Sequence, residues 1–439
     1  LREWQFLPAE QAEHIQQSRL ADLLLHAYHS TTYYRALLGE CGVVSSGGVV
    51  NLAKFDQVPL LDKPLLHEHF EDMKSGDLAQ RRWTENWSGG STAEPARFIQ
   101  DKEFDCWVNA TKVLFDEWSG CRPGDRKILL WGSDRDIAHQ RHRLRTRAYR
   151  WLSNERWLRA FGGLTDEDML AHAHAIDAFR PAQVLAYATS AYDLAGYVER
   201  AGVEIRPPGS IMTSAGTLYP HMRETIERVF KAPVFNRYGS REVGDIACDC
   251  DRHKGLHVIA PWQYVEVLLP DGTPAPPGEE GELVVTNLSN YAMPLIRYRI
   301  GDMGSWAAEP CPCGRTWPLL AQVSGRVSDV FHTTSGRAIP GESFSLLMLH
   351  SHAWVRRYQF VQESLEAVKV YLEIRPDQRD EAVQEAERLR AEVMKIMGPG
   401  SSVTIEFVEE IKAAPSGKYL HAISRVRNHY GAHSAPPRS

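Results

Sequence analysis

The chain contains no apolar run long enough to cross a bilayer, and its opening residues lack the apolar core of a secretory signal. These two absences argue against a spanning helix and against export, so a cytoplasmic, reducing setting is expected. Cysteine is scarce and odd in number, seven in 439 residues, which argues against a disulfide framework. Positive charge is short as well. Lys and Arg total 50 against 56 Asp and Glu, a net charge of −6 that gives no general attraction to nucleic acid and none to an anionic membrane. The 32 glycines and 25 prolines are spread rather than bunched, which fits many connecting turns and no long disordered region. The stretch 431–439, GAHSAPPRS, is the exception and is expected to be a disordered tail. No internal repeat is apparent. The chain opens on Leu1 rather than Met, so a few leading residues are expected to be missing.

What is present is apolar mass, 43% hydrophobic and 10% aromatic, over a length that suits more than one domain. Leu20, Leu23, Leu24, Ala27 and Tyr28 recur at helical spacing, and residues 8–41 are predicted as a helical lead within 1–45. A second helix is predicted over 101–118. Short apolar runs follow at KILLW (127–131), VLAYA (184–188), SIMTSAG (210–216) and PVFNRYG (233–239), with helix-like segments between the later ones. That alternation implies a parallel sheet with helices on its faces. From residue 257 the rhythm changes to HVIAPWQYVEVLLPDG and EGELVVTNLSN, alternating strands joined by DG and GEEG turns, hence antiparallel sheet. After residue 326 comes a smaller α+β unit: two strands within 356–376, an amphipathic helix over 380–397 and a final strand over 401–411. The expected organisation is a large α/β domain over 1–326, with a parallel sheet and an antiparallel β subdomain, and a small mobile α+β domain over 327–430. The arginine-rich stretch 135–159 reads either as a basic helix with a solvated face or as a docking surface for a phosphorylated ligand or partner.

Residues 87–95, WSGGSTAEP, are too small to build a core. They follow an expected strand, RRWTENW (81–87), where a loop beyond the carboxyl end of a strand would bind ligand. Gly89 and Gly90 let backbone N–H groups turn toward an anion, and the hydroxyls of Ser88, Ser91 and Thr92 add donors. The loop lacks the lysine of the Walker A pattern, so on its own it reads equally as a plain connecting loop. Two close cysteine pairs, Cys248 with Cys250 and Cys311 with Cys313, read either as metal ligands or as small apolar side chains in a core.

Downstream of the loop come TSAGTLYP (213–220), NRYGSREVG (236–244), PLIRYRIGDMG (294–304), SGRVSD (324–329) and PSGKYLHAISRV (415–426). In that order these stretches resemble the adenylate-forming enzymes, the acyl-CoA synthetase and adenylation-domain superfamily, and most of all the phenylacetate–CoA ligase branch with its CapK-like members. The resemblance covers nearly the whole chain. It implies ATP-dependent conversion of a carboxylic acid to an acyl-adenylate with release of pyrophosphate, then transfer to CoA, or alternatively to an amine or hydroxyl acceptor. A nucleotide-binding scaffold without chemistry is the contrasting reading. The glycine, serine and threonine loop would cover the β- and γ-phosphates. Ala215, Gly216 and Thr217 would line the adenine pocket, Tyr238 within Asn236, Arg237 and Gly239 would stack on adenine, and Ser240 would lie near the phosphates. Glu242 would hold Mg²⁺, Asp302 would accept both ribose hydroxyls with Arg326 nearby, and Lys418 would be the mobile catalytic lysine. A homodimer is also compatible with the resemblance.

The chain departs from the family where Ala93 and Glu94 replace the usual glycine and lysine of the loop, so Glu94 must point away or another cation must compensate. Ser328 and Asp329 stand where the hinge commonly carries two acids. The resemblance favours Cys250, His257, Cys311 and Cys313 as ligands of a structural Zn²⁺ over Cys248 and His253. The acid pocket is expected at Trp131, Gly132, Ser133, Tyr187 and Ser190, with Phe161 and Ala215, a lining suited to a planar aryl or arylalkyl acid.

Overall fold

The computed structural model describes residues 1–88, 96–132, 154–160, 164–326, 329–335, 337–339, 341–348, 354–374, 378–412 and 420–426. Of the expected site residues, Gly89, Gly90, Ser91, Thr92, Ser133, Phe161 and Lys418 lie outside that set, as do Ala93, Glu94, Ser328, most of the arginine-rich stretch and the 431–439 tail.

The helical lead is two helices, α1 (Ala9–Ser30) and α2 (Thr32–Glu40), rather than one. Thr31 makes the break: its backbone is extended, its hydroxyl donates to the Ala27 carbonyl at 2.9 Å and accepts from the Tyr34 N–H at 3.1 Å. One side chain thus ends the first helix and caps the second. A short helix α3 (Lys63–Glu68) starts at Asp62, whose carboxylate caps the Leu65 N–H at 3.0 Å. Next comes a hairpin of β1 (Trp83–Trp87) and β2 (Arg97–Asp101), then α4 (Lys102–Trp118), capped by Asp101. Strands β3 (Lys127–Leu130) and β4 (Glu155–Leu158) precede α5 (Asp166–Phe179), which opens with a capping box of Thr165 and Asp168. There follow β5 (Gln183–Tyr187), α6 (Ala188–Ala201), β6 (Ile211–Ser214), α7 (Pro220–Phe230) and β7 (Val234–Ser240). The run continues through β8 (Gly244–Asp249), β9 (Leu256–Val258), β10 (Gln263–Leu268), β11 (Gly281–Asn287), β12 (Tyr298–Trp306) and β13 (Leu319–Arg326). The remaining elements are β14 (Phe331–His332), β15 (Ala338–Ile339), α8 (Glu342–Leu347), β16 (Val355–Gln362), β17 (Ala367–Ile374), α9 (Arg379–Met397), β18 (Ser402–Val408) and β19 (Ala422–Ser424).

Parallel and antiparallel strands share one sheet of eleven strands, ordered β10-β11-β12-β13-β9-β8-β7-β6-β5-β3-β4. Pairs from β4 to β7 are parallel and every pair beyond β7 is antiparallel, so the expected antiparallel subdomain is a continuation of the parallel sheet. The two faces of the parallel part are separately covered. Val184, Ile211 and Val234 pack with α5, α6 and α7, whereas their neighbours Leu185, Met212 and Phe235 pack with Phe115 and Trp118 of α4. Burial on both sides is why these strands read as unbroken apolar runs. Leu23, Leu24 and Leu38 of the lead are fully buried with Val285 and Tyr298 in a further cluster, where each Leu→Ala change would cost about 2–5 kcal/mol.

Three expectations change. The strands that flank residues 88–95 pair with each other as the separate β1–β2 hairpin, antiparallel from Trp83↔Asp101 to Trp87↔Arg97, and neither belongs to the parallel sheet. The arginine-rich stretch ends in the edge strand β4, with the Arg156 guanidinium over the Phe179 ring at 4.2 Å, instead of running helical throughout. Strand β18 is not the last, because the three residues of β19 pair parallel with β16 in a four-stranded sheet ordered β18-β17-β16-β19. Three residues are too few to show a two-residue period. A large α/β unit and a smaller α+β unit are nonetheless the architecture, and a separate core running from Phe331 to Ala422 holds the second together.

Candidate functional site

The strand order places the site. From β3 the chain steps outward to β4, then returns across β3 to β5 and continues to β7, so the direction of winding reverses between β3 and β5. Ligands of open α/β sheets bind at the carboxyl ends of strands beside such a reversal. There Trp131, just after β3, stacks on Tyr187, the last residue of β5, with centroids 4.1 Å apart. Gly132 adjoins Trp131, while Ser190 is buried in the first turn of α6 with its hydroxyl toward the Ala160 carbonyl at 3.4 Å.

A cavity runs from Tyr187 across the ends of β6 and β7 to β12 and β13, enclosing about 1010 Å³ of empty space including its open mouth. Ala215, Gly216 and Thr217 form one wall. Ala215 has φ of +60°, a conformation costly to a residue with a Cβ, so the loop after β6 is held in a bend that its own preference does not supply. Asn236, Arg237, Tyr238 and Gly239 form the next wall from β7. Asn236 is fixed through its N–H to Asp249 Oδ1 at 2.8 Å, and the buried Arg237 guanidinium lies 3.5 Å from Asp245. Asp302 of β12 faces Arg326 of β13 directly across the ladder, 3.5 Å from carboxylate to guanidinium, and accepts a hydrogen bond from the Tyr238 hydroxyl at 2.9 Å. The Asp302 carboxylate holds the Arg326 guanidinium above its usual pKa, and burial followed by Asp302 pushes the Tyr238 phenol well up. Three groups distant in sequence, Asp302, Arg326 and Tyr238, thereby make a braced acceptor in the cavity.

Glu242, Ser240 and Ser88 do not line this cavity. Glu242 lies buried in the turn after β7, 3.5 Å from the Tyr298 hydroxyl, and its backbone carbonyl accepts from Gln100. The Ser240 hydroxyl accepts from the Val243 N–H at 3.4 Å within that turn. Ser88 exchanges two bonds of 2.8 Å with Ala96 and so closes the neck of the hairpin loop.

Sequence reasoning missed Lys63. Leu61 is stitched to the start of β12, its N–H donating to the Arg297 carbonyl at 2.9 Å and its carbonyl accepting from Arg299 at 2.8 Å. Two residues on, the half-buried Lys63 ammonium feels the carboxylates of Glu242 and Asp302 and the guanidinium of Arg326. Among the described residues it forms no hydrogen bond and no ion pair. Burial lowers its pKa, the Glu242 carboxylate works against that, and Arg326 adds to it. No spacing rule links position 63 to position 242, which is why the sequence gives no sign of this cation. Thr189, Tyr219 and residues 420–422 of the small unit, which also line the cavity, were missed for the same reason.

A second cluster brings together Cys250 and His257 from around β8 and β9 with Cys311 and Cys313 from the loop before β13, all four ligand atoms within 4.8 Å of one another. Cys250 and Cys311 sulfurs are 3.6 Å apart, and His257 Nε2 is 3.3 Å from the Cys313 sulfur. With zinc–sulfur and zinc–nitrogen bonds of ordinary length, a tetrahedron has edges of about 3.8 Å and about 3.6 Å for these pairs. The four donors therefore fit a tetrahedral zinc. His257 Nδ1 lies 3.3 Å from the Trp317 carbonyl, which fixes the tautomer that leaves Nε2 free to ligate. Burial pushes the Cys250 thiol up to about 12, a cost that a bound dication reverses. Cys248 and His253 are engaged elsewhere, at Met212 and Asp249.

A family model described as the CapK C-terminal domain matches residues 331–425. The chain is 26% identical to a phenylacetate-coenzyme A ligase of Thermus thermophilus over 82% of its length and 80% of that protein. It is 22% identical to the protein CapK of Staphylococcus aureus, over 94% of this chain and 89% of the other. Among solved structures, a 2-hydroxyisobutyryl-CoA ligase in its postadenylation state with 2-HIB-AMP superposes with a TM-score of 0.73 at 20% identity, covering 96% of this chain and 91% of that one. The same ligase in its thioesterification state gives 0.60 over the same coverage.

Proposed function

We propose that this chain is a member of the adenylate-forming acyl-CoA ligase superfamily and that it joins a carboxylic acid to the α-phosphate of ATP, releases pyrophosphate, and then passes the acyl group to the thiol of CoA. The observation that carries this reading is the cavity: a buried carboxylate braced by Tyr238 and Arg326, with small-unit residues 420–422 lining the same space. Asp302 accepts the two ribose hydroxyls. Tyr238 and the Ala215–Thr217 loop hold the base, and the loop 88–95 covers the outer phosphates. Lys418, two positions before Leu420, neutralises charge that grows on the transferring phosphate and carboxylate oxygens during adenylation and withdraws with the small unit for thioester formation. Lys63 takes the place of the lysine that the 88–95 loop lacks. The buried Glu242 carboxylate, whose hydrogen-bond contact among the described residues is a 3.5 Å approach to the Tyr298 phenol, suits a hard cation such as Mg²⁺, which would shield the phosphate charge. Cys250, His257, Cys311 and Cys313 hold a structural Zn²⁺ that ties the loop after β8 to the loop before β13.

The stacked Trp131–Tyr187 pair favours a planar aryl or arylalkyl acid, the kind of substrate expected of the phenylacetate–CoA ligase branch. Transfer to an amine or hydroxyl in place of CoA is the second reading, and the match of residues 331–425 to the CapK C-terminal domain is what favours it. The test is acid-dependent pyrophosphate release with a panel of aryl and aliphatic acids, followed by mass analysis of products formed with CoA, amines or alcohols. An adenylate that ignores CoA selects the second reading. No pyrophosphate with any acid rejects both.

A further inference from the structure

The small-unit wall of the cavity carries a group to which the mechanism above assigns no part. His421 immediately precedes β19, its carbonyl accepts from the Phe360 N–H at 2.8 Å, and the preceding Leu420 carbonyl accepts from the Gln359 amide at 2.8 Å. The backbone on which the imidazole stands is thus pinned to β16. The ring packs on Tyr358 with centroids 4.8 Å apart and lines the cavity beside Leu420 and Ala422.

Both ring nitrogens are buried and neither makes a hydrogen bond of good geometry among the described residues, the Tyr358 carbonyl being a nearby but poorly aligned acceptor. Native proteins rarely leave such atoms unsatisfied, and at a cavity wall they call for a partner from outside the chain. Burial, with His221 and Arg357 acting in the same direction and the Tyr358 carbonyl against it, pushes this imidazole down to about 4. The ring is then neutral near pH 7 and offers one N–H donor and one acceptor. Thr189 in the first turn of α6 and Tyr219, the N-cap of α7, line the same cavity, so the partially positive ends of two helices border it. Gly216, Tyr238, Asp302 and Arg326 line the remainder, which makes the ligand in reach of His421 the one held by those groups.

We propose that His421 hydrogen-bonds the adenine nucleotide held in this cavity, a contact made by the small unit only in its docked position, so that nucleotide occupancy and docking reinforce each other. The inference rests on the nucleotide-binding half of the reading above and on nothing in its second step.

Two variants separate contact from packing: His421→Phe keeps the ring against Tyr358 without the nitrogens, and His421→Asn keeps a donor and an acceptor. Calorimetric titration of the full chain with ATP and with AMP is expected to show roughly tenfold weaker binding for His421→Phe, the size of one to two neutral hydrogen bonds, and partial recovery for His421→Asn. Thermal midpoints of both variants should stay close to that of the unaltered chain. Unchanged binding in His421→Phe, or loss of equal size in the two variants, overturns the contact. A chain that binds neither nucleotide overturns the contact and the adenylate-forming reading together. A chain whose binding weakens as expected, yet exchanges pyrophosphate with no acid, supports the contact and refutes the activity alone.

Discussion

Replacing Asp302 by alanine removes the acceptor of the Tyr238 hydroxyl, the partner of Arg326 and the proposed seat of two ribose hydroxyls in one step. A hydrogen bond to a charged group contributes about 1.5–3 kcal/mol, so two of them total about 3–6 kcal/mol. Taking the lower end, because a water recovers part of the loss, ATP affinity falls by about a hundredfold at 1.4 kcal/mol per tenfold. The unliganded protein also weakens, by about 1–3 kcal/mol, since a buried phenol and a guanidinium lose their carboxylate. Affinity alone would not identify the contact, so the assay compares ATP with 2′-deoxy-ATP and 3′-deoxy-ATP by calorimetric titration. The unaltered chain should prefer ATP over either analogue by about tenfold or more, and Asp302→Ala should bind all three alike. An unaltered chain that treats the three nucleotides equally, or a variant that keeps the preference, refutes the placement of the sugar at Asp302.

Lys63→Met should weaken ATP by about tenfold while leaving AMP within twofold, measured by the same titration; equal losses would mean that the ammonium does not meet the outer phosphates. Metal analysis should find one zinc per chain, and Cys311→Ser or a strong chelator should lower the thermal midpoint by several degrees; a metal-free chain with an unshifted midpoint would count against the four-ligand site. Trp131→Ala should cut kcat/KM for aryl acids by about tenfold or more relative to short aliphatic acids in pyrophosphate exchange, and a uniform loss across both classes would make Trp131 a core anchor only. Burial, opposed by Asp168, lowers the His172 pKa below its unfolded value of about 6.5. The unfolded chain therefore binds the proton first, so this stability is complete above pH 6.5 or so and is lost as pH falls through the lower folded value. Denaturation midpoints between pH 7.5 and 5 should fall less steeply for His172→Asn, and parallel curves would reject the linkage.

Strand and helix types were legible wherever burial wrote a period into the residues. VLAYA and SIMTSAG are apolar without interruption because both faces of β5 and β6 are covered, and Leu20, Leu23, Leu24 and Ala27 repeat because one side of α1 meets the core. The grouping of Cys250, His257, Cys311 and Cys313 was also open to reading, since donor chemistry survives in the letters. Distance was not. Lys63 beside Glu242, His421 beside Tyr358, and β19 alongside β16 each depend on long-range pairing that no local pattern encodes. The hairpin loop at 88–95 was misplaced for the same reason: its strands alternate like any others, and only their register with each other shows that they stand apart from the main sheet. Residue chemistry and periodicity thus determined which groups this chain has to work with. Strand order and the packing of the small unit against the large one decided which of them meet, because a cavity wall is assembled by backbone hydrogen bonds between segments that share no local sequence constraint.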